Sequence, residues 1–252
     1  MLQQGKYNES IELFDKSIEL NPADKTSWNN KGVALLKQGK YNESIELFDR
    51  SVQIDPTYAT AWSNKGFAMY SSGMPNESIE FFDKALELNP NDKMAWNLKG
   101  LALLQQRKYN ESIELFDKMI QMDPTYATAW NNKGLSLYLG GMPNESIEFF
   151  NKAIELEPND GATWTNKGFA LYSTGRYNEA IDAFSLAIAI DPADDDAWLG
   201  KAMAEKSIDR AAEAAASYMK GMEIQKKQKP LNGPIDVSNN SLISLNTQIF
   251  MD

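Results

Sequence analysis

The sequence has 252 residues, of which 42% are hydrophobic, and a formal net charge of −10. This charge argues against nucleic-acid binding, which depends on Lys and Arg contacts to phosphates, and no apolar run is long enough to cross a membrane. The absence of cysteine and histidine excludes disulfides, Ser-His-Asp triads and metal sites with His or Cys ligands. We therefore expect a cytoplasmic protein with no catalysis, no cofactor and no metal site.

The first predicted element is a helix that carries a recurring phrase. The letters YNESIELFD occupy residues 7–15, 41–49 and 109–117, and the variant MPNESIEFF occupies residues 74–82 and 142–150. Apolar residues at helical spacing within the phrase predict an amphipathic helix. A phrase that recurs in this way indicates a packing role rather than a unique catalytic pocket.

Residues 25–58 contain two helix patterns separated by a turn. Trp28 and Gly32 are spaced as on one helix, and the second copy of the phrase supplies the next helix. Gly39 stands where a residue in the left-handed conformation would end the first helix. Asp55 precedes a proline, which disfavours helical geometry and ends the second helix. We predict two antiparallel helices of about a dozen residues each.

This unit repeats with a period of 34 residues. Tryptophan and proline keep the step in six copies each: Trp28, Trp62, Trp96, Trp130, Trp164 and Trp198, and Pro22, Pro56, Pro90, Pro124, Pro158 and Pro192. In two copies Pro75 or Pro143 replaces the tyrosine that opens the second helix, where proline is tolerated. We expect almost all tryptophans, phenylalanines and methionines at helical spacing to be core residues, so that Trp96→Ala costs about 3–5 kcal/mol.

The pattern of tryptophan, glycine at +4, a small residue at +16, phenylalanine at +20 and proline at +28 resembles the tetratricopeptide repeat. The resemblance implies an all-α fold, a right-handed superhelical solenoid of 34-residue helix-turn-helix repeats. We divide the chain into a half repeat (1–24), five complete repeats (25–194), a divergent capping repeat (195–228) and a non-repeat tail (229–252). One departure from the family pattern is Arg107, which stands where the other repeats have the turn glycine.

Two further regularities accompany the repeat. Residues 41–108 match residues 109–176 closely, which indicates duplication of a two-repeat block. Lysine stands three residues after the tryptophan in every copy, from Lys31 to Lys201. We expect these lysines to pair with neighbouring acidic side chains, and the alternative is a basic stripe for an acidic partner.

The first helices share a stripe that lies opposite the tryptophan and the glycine. With the tryptophan as position 4 of its repeat, positions 2, 5, 9, 12 and 13 form this first-helix stripe, which in the resembled family lines the concave peptide groove. Positions 9 and 12 are apolar or aromatic in each complete repeat, and we expect them to have no packing role within that repeat. We predict that the following residues bind a peptide: Asn29, Val33, Leu36, Ser63, Phe67, Tyr70, Asn97, Leu101, Leu104, Asn131, Leu135, Tyr138, Thr165, Phe169 and Tyr172.

The chemistry of the stripe indicates the class of ligand. Position 9 is never basic and Lys37 is the only cation at position 13, so we do not expect a clamp for a C-terminal carboxylate. Apolar anchors with polar residues between them suit a protein partner that presents an amphipathic helix or an extended apolar segment. We predict a non-catalytic scaffold for protein–protein interaction or complex assembly. A simpler interpretation is that the stripe only packs against neighbouring first helices.

The two ends of the chain suggest an alternative function, a homo-oligomeric module whose groove or open N-terminal end binds another copy. Residues 1–24 contain the second helix of a repeat and little of the first, whereas the ends of repeat arrays normally present a polar face. The tail contains apolar residues that would fit a groove of the same or another copy, in helical or extended form. The expected self-contact residues are Tyr7, Ile11 and Phe14, and Leu242, Leu245, Ile249 and Phe250.

Overall fold

The computed structural model describes residues 2–228, with side chains from Lys6 to Lys227. In this part the all-α prediction is confirmed, because it contains thirteen helices and no strand. The helices are α1 Leu2–Leu20, α2 Lys25–Lys37, α3 Tyr41–Ile54, α4 Ala59–Ser71, α5 Pro75–Leu88, α6 Lys93–Gln105, α7 Tyr109–Met122, α8 Ala127–Leu139, α9 Pro143–Leu156, α10 Gly161–Ser173, α11 Tyr177–Ile190, α12 Asp195–Ser207 and α13 Ala211–Gln228. The tail residues from Leu242 to Phe250 lie outside the described residues.

The helices end where local chemistry requires it. Gly39 has φ +76° after α2, and the amides of Gly39 and Lys40 donate to the carbonyls of Leu36 and Leu35, which satisfies two terminal carbonyls of the helix. Asp55 is extended, with φ −138°, and ends α3. The predicted turn and the predicted stop before the proline are therefore confirmed.

The helices form two compact units, one up to Gln106 and one from Arg107. In the first unit each helix from α1 to α6 packs against the next, and the first helices α2, α4 and α6 also contact one another in order. In the second unit α7 to α13 pack in the same way, and α10 contacts α8 and α12. The division falls inside the repeat 93–126, which the period does not predict.

The core of each repeat is centred on the phenylalanine of the second helix. Five equivalent rings are completely buried: Phe48, Phe82, Phe116, Phe150 and Phe184. In the first complete repeat, Phe48 clusters with Leu36 and with Ala68 of the next repeat, and Val33 and Tyr41 pack against this cluster. The inward face of the recurring phrase is thus the core face of its helix, as the sequence predicts.

The tryptophans differ from the prediction, because they are half-exposed rather than core residues. Each indole N–H instead donates to the carbonyl of the proline six residues earlier, over 2.9 Å for Trp28 to Pro22 and 2.8 Å for Trp96 to Pro90. The indole therefore ties the loop before each repeat to the first helix. Because this site lies beside a loop, part of the ring stays in contact with water.

Candidate peptide-binding site

The first-helix stripe lies on α2, α4 and α6 in the first unit and on α8 and α10 in the second. Because the first helices within a unit pack directly against one another, stripe residues of successive repeats are neighbours. The stripe is therefore a contiguous set of side chains within each unit.

Most of the predicted peptide-binding residues are buried. The buried ones are Asn29, Leu36, Ser63, Tyr70, Leu101, Leu104, Asn131, Leu135, Thr165 and Phe169. The half-exposed ones are Val33, Phe67, Asn97, Tyr138 and Tyr172. Of the predicted residues, only this second set exposes part of its side chains to a ligand without rearrangement.

The expectation that positions 9 and 12 have no packing role within their own repeat is wrong. Leu36 at position 12 clusters with Phe48 of the same repeat. The ring of Phe169 on α10 meets the ring of Phe184 on α11 edge-to-face, with centroids 5.0 Å apart. Both helices belong to the repeat 161–194, and edge-to-face contact is a favoured aromatic arrangement. Positions 9 and 12 therefore reach the helix interface of their own repeat as well as the surface of the stripe.

Two tyrosines at position 12 connect successive first helices. Nε2 of Gln105 donates to the hydroxyl oxygen of Tyr70 over 2.8 Å, and the hydroxyl groups of Tyr138 and Ser173 lie 2.9 Å apart. Burial raises the pKa of Tyr70 to about 12. Burial also raises the pKa of Tyr138, although the hydrogen bond with Ser173 acts in the opposite direction. Both phenols are therefore neutral near pH 7 and hold position 13 of the next repeat in place.

Asparagines at positions 5 and 6 form a second connection between first helices. In the first unit Nδ2 of Asn64 donates to Oδ1 of Asn29 over 2.9 Å. In the second unit Nδ2 of Asn166 donates to Oδ1 of Asn131 over 3.0 Å. The buried amides at position 5 are thus used to join repeats, which explains why a polar residue is tolerated there.

Several accessible stripe residues were not among the predicted peptide-binding residues. Met94 at position 2 is 43% exposed, contrary to the core role expected of the methionines, and Lys37, Gln105 and Ser173 at position 13 are exposed. Their positions on the stripe are evident from the helical period, but their exposure depends on how the first helices pack. The accessible surface is mostly uncharged, with Lys37 as the cation at position 13.

The predicted self-contact residues on α1 are half-buried. Phe14 occupies the position of the five completely buried phenylalanines but remains partly exposed, as do Tyr7 and Ile11. On the same helix Leu13 and Leu20 are 65% and 88% exposed. In the described part of the chain, α1 therefore carries an apolar surface that α2 does not fully cover.

Within the described residues, no group of three or more carboxylates is arranged to hold a metal ion. The same helices include none that is both long and apolar enough for a membrane span.

Comparison with solved structures supports the helical repeat fold. A tetratricopeptide repeat protein from Parabacteroides merdae is 17% identical with a TM-score of 0.73, and the match covers 88% of each chain. The APC/C hetero-tetramer Cut9–Hcn1 gives 18% identity and a TM-score of 0.74, over 90% of this chain and 45% of that chain. YrrB, described as having an unusual peptide-binding site, gives 21% identity and a TM-score of 0.59, over 74% of this chain and 96% of that chain.

Sequence comparison with known families covers most of the chain. No curated protein matches the sequence. Models of the tetratricopeptide repeat match residues 2–59, 35–102, 94–126, 127–160 and 161–194. These matches agree with the 34-residue period and with the helix pairs of the structure. The chain therefore belongs to the tetratricopeptide-repeat family.

Proposed function

We propose that this chain is a non-catalytic scaffold that binds uncharged, apolar peptide segments of partner proteins on its first-helix stripe. The family and its structural relatives support a role in protein–protein interaction. The finer proposal, that the stripe is the ligand-binding face, rests on a comparison of the two duplicated blocks within the chain.

The duplicated blocks differ most at stripe positions. Of the 68 aligned pairs between residues 41–108 and 109–176, 44 are identical. Of the ten pairs at stripe positions eight differ, whereas 16 of the remaining 58 differ. Positions constrained by packing, such as Phe82 and Phe150, are the same in both blocks. Divergence concentrated on one stripe is expected if that stripe contacts a ligand and the rest maintains the fold.

The substitutions change the accessible chemistry of the stripe. In the first block the accessible groups include the phenyl ring of Phe67, the thioether of Met94 and the amides of Asn97 and Gln105. In the second block they include the phenols of Tyr138 and Tyr172 and the hydroxyl of Ser173. A phenol offers a hydrogen-bonding group that a phenyl ring or a thioether lacks. The two units therefore present different side chains and are suited to two different peptide segments.

A packing explanation makes a different prediction. Phe67 and Leu101 at position 9 correspond to Leu135 and Phe169 in the second block, so the exchange conserves the pair of side chains. If these changes only preserve core volume, substituting the solvent-accessible stripe residues should not change peptide binding. The two explanations are separated by substituting the half-exposed residues alone.

The test is peptide selection followed by unit-specific substitution. Twelve-residue peptides would be selected from a random displayed library on the wild-type protein, and their affinities measured by fluorescence anisotropy. We expect apolar, uncharged peptides in two classes. The variant Phe67→Ser/Met94→Ser should weaken one class, and Tyr138→Ser/Tyr172→Ser should weaken the other. Tyr70 is left unchanged, because it is 2% exposed and its loss would disturb packing.

A matched control uses exposed apolar residues outside the stripe. Met122 and Leu186 lie on second helices and are 48% and 46% exposed, so Met122→Ser/Leu186→Ser removes similar surface. This control should bind both peptide classes normally. Peptides that bind the stripe variants and the wild type equally, with unchanged helical circular dichroism, would refute the proposed binding face.

Self-association through α1 is a second candidate function. The exposed Leu13 and Leu20 and the partly exposed Phe14 form an apolar surface on this helix, and a second copy would cover it. Light scattering over a concentration series should then show a dimer that Leu13→Ser/Leu20→Ser dissociates. A monomer at all concentrations would exclude this function and leave the peptide proposal untouched.

A further inference from the structure

The lysine three residues after each tryptophan forms an ion pair in most repeats. Its Nζ lies 2.5 Å from a carboxylate oxygen of the aspartate sixteen residues earlier, on the preceding second helix. The four pairs are Lys31–Asp15, Lys65–Asp49, Lys99–Asp83 and Lys133–Asp117. The sequence-based expectation of pairing with neighbouring acids is confirmed for these four lysines.

Lys167 breaks this regularity. The residue sixteen positions earlier is Asn151, although the corresponding residue in the first block is Asp83. Among the described residues Lys167 forms no ion pair, and its Nζ instead lies 4.9 Å from the centroid of the Trp164 ring. In the last copy Ser185 stands at the aspartate position, and Lys201 lies 3.9 Å from Glu205.

The surroundings of Lys167 disfavour its positive charge. Burial lowers the pKa of Lys167, and the positive charge of Arg176 lowers it further. Glu179 acts in the opposite direction, but both of its carboxylate oxygens accept from Arg176, over 2.8 and 2.5 Å. The half-buried Lys167 ammonium lacks the carboxylate that the other lysines have, and the face of the Trp164 ring replaces its lost hydration only in part. The neutral amine is the nucleophilic form of lysine.

We propose that Lys167 is a modification site, the position at which this chain is acylated by small activated acyl donors such as acyl thioesters or acyl phosphates. The lone pair of the Lys167 nitrogen attacks the acyl carbonyl carbon, and a C–N bond forms. The C–S or C–O bond of the donor breaks, the thiolate or phosphate leaves with the electron pair, and a nitrogen proton passes to solvent. The product is a neutral amide.

The missing carboxylate also makes the product easier to accommodate at this position. Acylation of Lys99 would remove the positive charge beside Asp83 and leave its carboxylate without a counter-ion. Acylation of Lys167 breaks no ion pair among the described residues. Acylation removes the positive charge of the side chain, which burial disfavours, and the acyl group of the product can lie near the face of Trp164.

The test compares lysines at equivalent positions. The full chain would be treated separately with limiting acetyl phosphate and acetyl-coenzyme A near pH 8, and acetylation followed at each lysine by mass spectrometry. We expect Lys167 to react several-fold faster than Lys99 and Lys133, since each unit of pKa depression gives about tenfold more neutral amine. Preference with acetyl phosphate alone identifies acyl phosphates as the donor class, and preference with the thioester alone identifies thioesters.

Reciprocal substitutions separate the missing carboxylate from other features of the site. Asn151→Asp should slow acetylation of Lys167 to the rate of Lys99, and Asp83→Asn should accelerate acetylation of Lys99. Both changes conserve side-chain shape, and circular dichroism checks that each variant folds. Equal rates at Lys99 and Lys167 in the wild type with both donors, or a Lys167 rate unchanged by Asn151→Asp, would overturn the proposal.

Discussion

A Cβ atom placed on Gly66 would lie 2.7 Å from Cε1 of Phe82, far closer than two carbon atoms normally approach. The same relationship joins Gly32 to Phe48, Gly134 to Phe150 and Gly168 to Phe184, at 2.7, 2.8 and 2.6 Å. The phenylalanine of the second helix therefore occupies the volume that a side chain on the first helix would need. This contact explains why glycine follows the tryptophan by four residues.

The first prediction concerns this contact. Gly66→Ala should destabilise the protein by about 1–3 kcal/mol, because the added methyl overpacks a ring that is completely buried. Urea unfolding monitored by circular dichroism would measure the change. Gly66→Ala should cost less in a Phe82→Leu background than in the wild type, since the smaller side chain leaves room for the methyl.

Gly73→Ala is the matched control for Gly66→Ala. Gly73 has φ +87°, and a Cβ there would meet no atom within 4 Å. Its cost should be about 1–2 kcal/mol from backbone strain alone, and Phe82→Leu should not reduce it. If the Gly66→Ala variant were as stable as the wild type, the Phe82 ring would move freely and the contact would be unimportant.

The second prediction concerns Arg107, which has φ +58° at the position of the turn glycines. A residue with a Cβ is strained in this conformation, so Arg107→Gly should stabilise the protein by about 1 kcal/mol. Arg107→Ala keeps the Cβ and should give little or no gain. Thermal unfolding of the three proteins would measure both effects, and equal gains for glycine and alanine would contradict the strain explanation.

The third prediction concerns Trp96, whose side chain is half-exposed. Trp96→Ala should lower the free energy of unfolding by roughly half of the 3–5 kcal/mol that is typical of fully buried aromatic residues. Trp96→Phe removes the hydrogen bond to Pro90 and should cost about 1 kcal/mol or less, because water can replace the indole. Urea unfolding would measure both costs. A loss above that range for Trp96→Ala would show that the indole belongs to the core.

Helix boundaries could be predicted because they depend on neighbours in the sequence. Gly39 ends a helix through its own backbone conformation, and Asp55 ends one because of the proline that follows it. The helical period likewise places Tyr70 on the first-helix stripe. Each of these properties is set within a few residues along the chain.

Exposure could not be predicted, because it depends on contacts between residues far apart in sequence. Tyr70 is buried and hydrogen-bonded to Gln105, 35 residues later, whereas Tyr138 at the same position remains half-exposed. The tryptophan lies beside a loop, which the period alone does not reveal. The candidate site therefore contains fewer accessible residues than the stripe that defines it.

The fourth prediction is a pH dependence at Asp194. Burial raises the pKa of Asp194 above 3.8, although hydrogen bonds from Thr165 and Ala197 act in the opposite direction. The folded state therefore binds this proton more tightly than the unfolded chain does. The resulting stabilisation is complete below pH 3.8, the unfolded value, and is lost as the pH rises through the pKa of the folded state. Asparagine at position 194 has no carboxyl group to ionise, so the Asp194→Asn variant lacks this pH-dependent loss of stability. Urea unfolding at about pH 3 and pH 7 should show that the variant gains stability relative to the wild type as the pH rises.

Asp55 provides a control with the opposite sign. The hydrogen bond from Lys25, together with those from Thr57, lowers the pKa of Asp55 from 3.8 to about 2. The stability from this carboxylate is present above pH 3.8 and lost as the pH falls through about 2. Asp55→Asn should therefore lose stability relative to the wild type as the pH rises from about 2 to 7. Two variants that respond to pH in the same direction would show that burial does not dominate at Asp194.

The fifth prediction concerns the ion pair that is missing at Asn151. Asn151→Asp restores the carboxylate that pairs with lysine in the earlier repeats and should stabilise the protein by up to about 1 kcal/mol, since such partly exposed pairs contribute little. The gain should shrink at high salt, which screens partly exposed charges. Asp83→Asn should cause a loss of similar size through Lys99. A double-mutant cycle with Lys167→Met, measured by urea unfolding at low and high salt, isolates the pair. A gain that persists when Lys167 is replaced would show that the introduced carboxylate acts on some other group, and that the lysine is not its partner.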